Sequence, residues 1–169
     1  MARGLADFAR VYLSDKAGFA QKVVTPVLLW EANAALNPSD EQWNRTESGV
    51  SDRNTRPRPG EPLVFELKKH PGKKNPFSMG VTLGRVDTND LVIDDASISR
   101  FHAWFQNDPK AGWLVVDAES KNGSIVNGTR VAANAKTPLV DGMRLRFGDI
   151  EVLFLAPASL VARIEAAFR

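Results

Sequence analysis

The 169 residues are 43% hydrophobic and 25% charged, proportions typical of a soluble globular protein with room for one domain and an appendage. The 22 basic and 20 acidic residues give a net charge of +2, so there is no electrostatic reason to expect nucleic-acid binding. Cysteine is absent, which excludes disulfides, thiolate metal sites and a cysteine nucleophile. No segment approaches the roughly 18 apolar residues of a membrane-spanning helix. Charged residues interrupt any signal-peptide core near the N-terminus, so we expect no membrane insertion and a cytoplasmic location.

The first 36 residues are predicted to form a helical extension. Apolar residues recur there at helical spacing, at Leu5, Phe8, Ala9, Tyr12 and Leu13. Thr25 followed by Pro26 is typical of a helix N-cap with proline in the first turn, which predicts a second helix ending at Leu36. That helix would be apolar on more than one side, so it must pack against the main domain, its neighbour or another protein.

Residues 37–62 have a different composition. Four prolines stand among serines, threonines and charged residues, and few apolar side chains are available to offset the entropy of ordering. We predict an extended linker. Thr46 and Thr55 lie within it.

From residue 63 onward the chain consists of short strand-length segments bounded by glycine, proline, asparagine or aspartate. They are residues 63–67, 78–83, 91–93, 102–106, 113–117, 144–147 and 150–155. Asn127-Gly128 predicts a two-residue hairpin turn, because both central positions of that turn need a positive φ. Many short strands without intervening helices predict a β-sandwich over residues 63–156. Ser159 is the expected N-cap of a final helix over residues 157–169.

Four polar motifs follow the predicted strands in a fixed order. They are Gly84-Arg85, Ser99-Arg100-Phe101-His102, Lys121-Asn122-Gly123-Ser124 and Asn127-Gly128. Loops at one end of a sandwich bring side chains from distant parts of the chain to one surface. In this order and at this spacing, over about residues 62–155, the motifs resemble the forkhead-associated (FHA) domain, a module that reads phosphothreonine. The resemblance implies an antiparallel FHA-type β-sandwich.

The resemblance also implies which residues bind the phosphopeptide. Arg85 and Ser99 occupy the phosphate-binding positions of the family, and Arg100 stands where a neighbouring residue often assists. Asn122 matches the asparagine that bonds the peptide backbone, and Lys121 would add attraction to the phosphate. This assignment agrees with the chemistry of the ligand, since arginine donates two bonds to phosphate oxygens and phosphothreonine carries about −1.5 to −2 charges.

Other matching positions are expected to support the site rather than contact the ligand. These are Gly84, His102, Gly123, Asn127 and Gly128. In the family the histidine ties together the loops that carry the serine and the arginine. The main departure is Ser124, where threonine is more usual, so the hydroxyl is kept and a methyl group is lost.

The expected function is that of a non-catalytic adaptor in a Ser/Thr-kinase pathway. Its partners would be a threonine-phosphorylated protein, such as a kinase or a kinase substrate. Phosphorylation of Thr46 or Thr55 would also let the chain bind its own tether, because tethering raises the effective concentration to the millimolar range.

Two alternatives are considered. In the first, a structural assembly subunit binds partners without phosphate through the apolar helix predicted over residues 26–36. The second, an enzyme, has little support, because the sequence shows no nucleotide-binding loop, metal constellation or nucleophile–base pair. We therefore expect no catalytic residue, cofactor or metal.

Overall fold

A computed structural model of the chain describes residues 2–32, 56–72 and 75–168. These residues form twelve strands and three helices. The strands are β1 Arg3–Gly4, β2 Val27–Trp30, β3 Leu63–Glu66, β4 Val81–Gly84, β5 Leu91–Val92, β6 Ala103–Asp108, β7 Gly112–Asp117, β8 Ser124–Val126, β9 Thr129–Arg130, β10 Thr137–Pro138, β11 Arg144–Phe147 and β12 Ile150–Leu155. The helices are α1 Leu5–Ser14, α2 Lys16–Lys22 and α3 Pro157–Ala167.

Two sheets face each other and confirm the predicted β-sandwich. A seven-stranded sheet has the order β1-β3-β2-β12-β11-β8-β9, and a five-stranded sheet has the order β10-β7-β6-β4-β5. Neighbouring strands pair antiparallel except β4 and β5, which run parallel. In β11 the burial alternates, with Leu145 and Phe147 buried and their neighbours exposed, as expected for a strand with one face on the core. Phe147 meets Phe105 of the opposite sheet edge to face, with ring centroids 6.0 Å apart.

The helix predicted from Pro26 is wrong, because Val27–Trp30 forms a central strand. β2 pairs with β3 on one side and with β12 on the other. Leu28 and Trp30 point into the core between the sheets, whereas Val27 and Leu29 belong to a second core. A strand covered on both faces is a continuous apolar run, which periodicity alone does not distinguish from a buried helix. The sandwich therefore includes residues that we assigned to the N-terminal extension.

The second core lies under the three helices, on the outer face of the seven-stranded sheet. The prediction for α1 is confirmed except at Leu13, which is 60% exposed. The final helix begins after Ala156 with Pro157 in its first turn, so Ser159 is not its cap and instead donates a 2.6 Å hydrogen bond to Asp141. Most of the linker predicted over residues 37–62 lies outside the described residues. No helix in the described ranges is long and apolar enough to cross a membrane.

Candidate functional site

Three loops meet at one end of the sandwich, after β4, between β5 and β6, and between β7 and β8. Gly84 lets the first two loops approach, since a Cβ atom at this position would stand 2.2 Å from the carbonyl oxygen of Arg100. It would also stand 2.6 Å from the amide nitrogen of Asn89, which donates to the same carbonyl. Any larger residue at position 84 would therefore push the loops apart.

Ser99 connects the three segments through its backbone and its side chain. Its carbonyl oxygen accepts a 3.0 Å hydrogen bond from the backbone N–H of Arg85. Its hydroxyl oxygen accepts another, also 3.0 Å, from the backbone N–H of Lys121. Ser99 therefore joins the loop of Arg85, which precedes it in the sequence, to the loop of Lys121, which follows it.

The side chain of His102 fixes the shape of the turn that contains Ser99, which is called the serine turn below. Its imidazole is fully buried, and Nδ1 accepts the N–H of Ser99 at 3.0 Å. The ring proton must then be on Nε2, which lies 3.1 Å from the carbonyl oxygen of Gly123 and donates to it. The side chain therefore ties the serine turn to the loop of Gly123, and not to the arginine loop as the resemblance implies. Arg85 is connected through the Ser99 carbonyl instead.

Burial is the main influence on the pKa of His102. It lowers the pKa below the usual value, and neither the Gly123 carbonyl nor the nearby Asp117 carboxylate compensates fully. The neutral ring is thus the form that the fold selects. This agrees with the hydrogen bonds, because a protonated Nδ1 would face the N–H of Ser99.

Asp117 closes the loop that carries Lys121 and Asn122. Its carboxylate accepts hydrogen bonds from the Ser120 N–H at 2.9 Å, the Ser120 hydroxyl at 2.6 Å and the Ser124 hydroxyl at 2.5 Å. Burial alone would raise the pKa of Asp117, but these bonds outweigh it and hold the pKa below its ordinary value. The hydroxyl is the only part of Ser124 that this network uses, so the departure from threonine leaves the network complete.

The loop backbone also contains one glycine that no other residue replaces easily. Gly123 has a φ of +78°, and a Cβ atom there would stand 2.4 Å from a guanidinium nitrogen of Arg130. In the adjacent hairpin Asn127 and Gly128 have φ values of 46° and 81°, which confirms the predicted turn. The Asn127 side chain accepts the N–H of Arg144 at 2.8 Å and so holds this turn against β11.

Asn122 faces the serine loop. Its Nδ2 donates a 2.9 Å hydrogen bond to the carbonyl oxygen of Ser97, while its Oδ1 has no partner among the described residues. The Ser97 hydroxyl donates to Asp95 at 2.6 Å and accepts the N–H of Asp149 at 2.9 Å. Asp95 also pairs with Arg56. The serine loop is therefore held on several sides before any ligand arrives.

Three of the exposed side chains of these loops are cationic. Arg85, Arg100 and Lys121 are all exposed, and within the described ranges none of them makes an ion pair. Arg130, beside Gly123, is likewise exposed and unpaired there. Cations without carboxylate partners, together with backbone and hydroxyl groups, suit an anionic ligand.

The structure places all five predicted ligand-binding residues in these three loops. We did not predict the supporting roles of Ser97, Ser120 and Asn89. The role of Ser120 was predictable, because Asp117 followed three residues later by Ser120 has the spacing of a side-chain-capped turn. Arg130 was not predicted. It lies beside Gly123 because of the register of the β8–β9 hairpin, in which Arg130 pairs with Ile125. No group of three or more histidine, aspartate or glutamate side chains in the described part of the chain is arranged to hold a metal ion.

Comparison with known proteins bears on the identity of this fold. The family model of the FHA domain matches residues 81–148. The glycogen accumulation regulator GarA of Mycobacterium tuberculosis is 32% identical over 113 residues, which are 65% of this chain and 66% of GarA. The oxoglutarate dehydrogenase inhibitor of Corynebacterium glutamicum is 36% identical over 75 residues, covering 44% of this chain and 50% of the inhibitor. The transcriptional regulatory protein EmbR of M. tuberculosis is 33% identical over 84 residues, or 49% of this chain and 21% of EmbR.

Two solved structures also align with this chain. M. tuberculosis EmbR in complex with a low-affinity phosphopeptide aligns with a TM-score of 0.48 and 20% identity, over 89% of this chain and 29% of that one. A structure from work on phosphothreonine-dependent FHA domain interactions aligns with a TM-score of 0.46 and 20% identity, over 78% and 96% of the two chains. The chain spans about a fifth to about two thirds of the length of the three curated relatives described above. Residues 81–148 of this chain are therefore a forkhead-associated domain.

Proposed function

We propose that this protein is a non-catalytic adaptor that binds phosphothreonine peptides of partner proteins through the loops joined at Ser99. The observation that carries the proposal is the meeting of Arg85, Ser99 and Lys121 at hydrogen-bond distances of 3.0 Å, with cationic side chains that have no ion pair among the described residues. Two of the relatives are named for regulation or inhibition of metabolism, which supports a regulatory role.

Each loop contributes a different group to the phosphate. The guanidinium of Arg85 donates two bonds, and Arg100 and Lys121 add positive charge. Because the Ser99 hydroxyl oxygen accepts from Lys121, and its proton has no acceptor among the described residues, that proton is available to a phosphate oxygen. Asn122 offers its Oδ1 to a backbone N–H of the peptide.

The partner is a protein phosphorylated on threonine, such as a Ser/Thr kinase or one of its substrates, in a cytoplasmic pathway. Self-binding through phosphorylated Thr46 or Thr55 is a further proposal, although both residues lie outside the described ranges. Arg56 pairs with Asp95 of the serine loop, and Thr46 is ten residues before it. A fully extended chain of that length reaches roughly 35 Å, which is enough to return to the site.

The phosphate-independent assembly subunit loses its main support. It relied on an apolar helix over residues 26–36, but Val27–Trp30 is buried within the seven-stranded sheet. Those side chains are therefore not available to a partner protein.

Fluorescence polarisation against a degenerate phosphothreonine peptide library tests the proposal, with phosphoserine and unphosphorylated libraries beside it. We expect binding to the phosphothreonine library only. The Arg85→Ala variant should bind the best peptide from that library about tenfold to a hundredfold more weakly, because a charge-assisted bond contributes roughly 1.5–3 kcal/mol. Arg10→Ala is the matched control, since it removes the same charge from an exposed position on α1. Equal affinity for all three libraries, or no effect of Arg85→Ala, would overturn the assignment.

A further inference from the structure

A short segment before β3 reaches the serine loop, which connects β5 and β6, from outside the residues that the family model matches. This entry segment consists of residues 56–62. Arg56 lies at its start, and its guanidinium pairs with the carboxylate of Asp95 in the serine loop. At its end, the carbonyl oxygen of Pro62 accepts a 2.8 Å hydrogen bond from the backbone N–H of Leu5. The entry segment is therefore fastened both to the serine loop and to the start of α1.

The carboxylate of Asp95 is shared between Arg56 and Ser97. Its Oδ1 accepts the Ser97 N–H at 2.8 Å and the Ser97 hydroxyl at 2.6 Å, while its Oδ2 pairs with the guanidinium of Arg56. The Asp95 side chain is only 10% exposed, and Arg56 is the only cation that pairs with it among the described residues. Removing the single partner of a nearly buried charge perturbs the structure around that charge.

Ser97 connects Asp95 to the asparagine of the candidate site. The Nδ2 of Asn122 donates a 2.9 Å hydrogen bond to the carbonyl oxygen of Ser97, which orients the Oδ1 that the proposed function offers to the peptide. There is little space for Ser97 to move, because a Cβ atom at Gly148 would stand 2.3 Å from the same carbonyl oxygen. A side chain that is already held in its binding orientation loses less entropy when the ligand arrives.

We propose that Arg56 is a positioning residue of the phosphopeptide site, which acts on Asn122 through Asp95 and Ser97 and does not touch the ligand. The inference rests on the proposed function and deepens it, since it makes the entry segment part of the recognition site. An ion pair between two exposed side chains would contribute little. This pair differs because its carboxylate is nearly buried and is also bonded to the serine loop.

The inference is tested by fluorescence polarisation with the full chain and the best phosphothreonine peptide. Arg56→Ala should weaken binding by about threefold to tenfold, as expected for the loss of a positioning contact. Arg58→Ala is the matched control, because Arg58 is an exposed arginine of the same entry segment that pairs with Glu61 and not with the serine loop. This control removes the same charge nearby and should bind like the wild-type protein.

A double-mutant cycle separates a positioning role from a direct contact with the phosphate. If Arg56 acts through Asn122, Arg56→Ala should cost little further affinity once Asn122→Ala has removed the peptide contact. The same substitution should keep its full effect when it is combined with Lys121→Gln, because the Lys121 side chain is not part of this series of hydrogen bonds. A general loss of stability would not distinguish between these two backgrounds.

A second variant guards against misfolding of the first. Asp95→Asn breaks the pair without leaving a buried charge and keeps an oxygen for Ser97, so it should reproduce the loss of affinity. Equal affinities of Arg56→Ala and Arg58→Ala, or an effect of Arg56→Ala that is fully additive with Asn122→Ala, would overturn the inference and leave the proposed function standing. Failure of the wild-type protein to bind any phosphothreonine peptide would overturn the proposed function and the inference with it.

Discussion

The Ser99 hydroxyl holds two loops together, and in the proposed function it also donates to the phosphate. Its oxygen accepts the Lys121 N–H, which fixes the distance between two loops. This leaves the proton free for a ligand, because a hydroxyl is both a donor and an acceptor. An alanine would remove both contributions, whereas a threonine would keep them at the cost of a methyl group beside the loop.

The other residue with a wide influence is His102, and its burial leads to a prediction about pH. Because burial lowers its pKa in the folded protein, the unfolded chain takes up a proton near the usual value of about 6.5 while the folded protein does not. The free energy of unfolding is therefore highest above about pH 6.5 and decreases as the pH falls toward the lowered pKa of the folded state.

Urea unfolding between pH 7.5 and pH 5 measures this dependence. His102→Asn should flatten the slope in that range, even if it lowers the stability overall. His70→Asn is the natural control, since these are the two histidines of the chain, and it should leave the slope in place. If His70→Asn flattens the slope and His102→Asn does not, the buried imidazole is not its source.

At the scale of elements, β2 connects the two parts of the seven-stranded sheet, because it lies between β3 and β12. Leu28 is fully buried and faces the core between the sheets. Leu28→Ala should lower the free energy of unfolding by about 2–5 kcal/mol, as leucine truncations in cores do. Leu13→Ala, at a position that is 60% exposed, should change it by less than about 0.5 kcal/mol. Chemical denaturation of both variants gives the comparison, and equal effects would contradict the placement of β2.

Some elements were predictable because their signals are local. The hairpin at Asn127 and the strands β11 and β12 follow from turn residues and from alternation within a few positions. β2 was not predictable in this way, because an apolar run covered on both faces has no alternation to separate it from a helix.

The candidate site shows the same division. The order of the motifs in the sequence was enough to predict that the five candidate ligand-binding residues lie in loops at one end of the sandwich. The bond from His102 to the Gly123 loop, and the approach of Arg130 to the same glycine, depend on how distant strands are paired. Strand pairings of this kind depend on the whole fold, so no single position in the sequence indicates them.

At the scale of the whole molecule, the charge is nearly balanced but unevenly placed. The net charge is +2, yet the loops at one end of the sandwich present cations without ion pairs among the described residues. Attraction of a phosphopeptide should therefore be local and sensitive to salt. Raising the ionic strength from 0.1 M to 1 M shortens the screening length from about 10 Å to about 3 Å.

We expect the affinity for a phosphopeptide to fall by roughly fivefold to tenfold over this range of salt, while the melting temperature changes little. Lys121→Gln should reduce the salt dependence because it removes one of the local charges. Arg10→Gln, at an exposed position on α1, should not. Fluorescence polarisation across a salt series measures how steeply the affinity of each variant falls with salt. If Lys121→Gln and Arg10→Gln had the same salt dependence, the attraction would come from the net charge.

The position of β2 between β3 and β12 also sets the order in which the chain can fold. Val27–Trp30 meets its first partner, Leu63–Glu66, early in synthesis, but its second partner includes Leu153 and Leu155, about 120 residues later. Contacts between such distant segments slow folding, because a long loop must close before they form. The edge of β2 that pairs with β12 must therefore stay unpaired while the loops of the candidate site are made. A nascent chain that stops before β12 has those loops but lacks a central strand of the seven-stranded sheet, so we expect the proposed peptide binding to begin only once the C-terminal part has been synthesised.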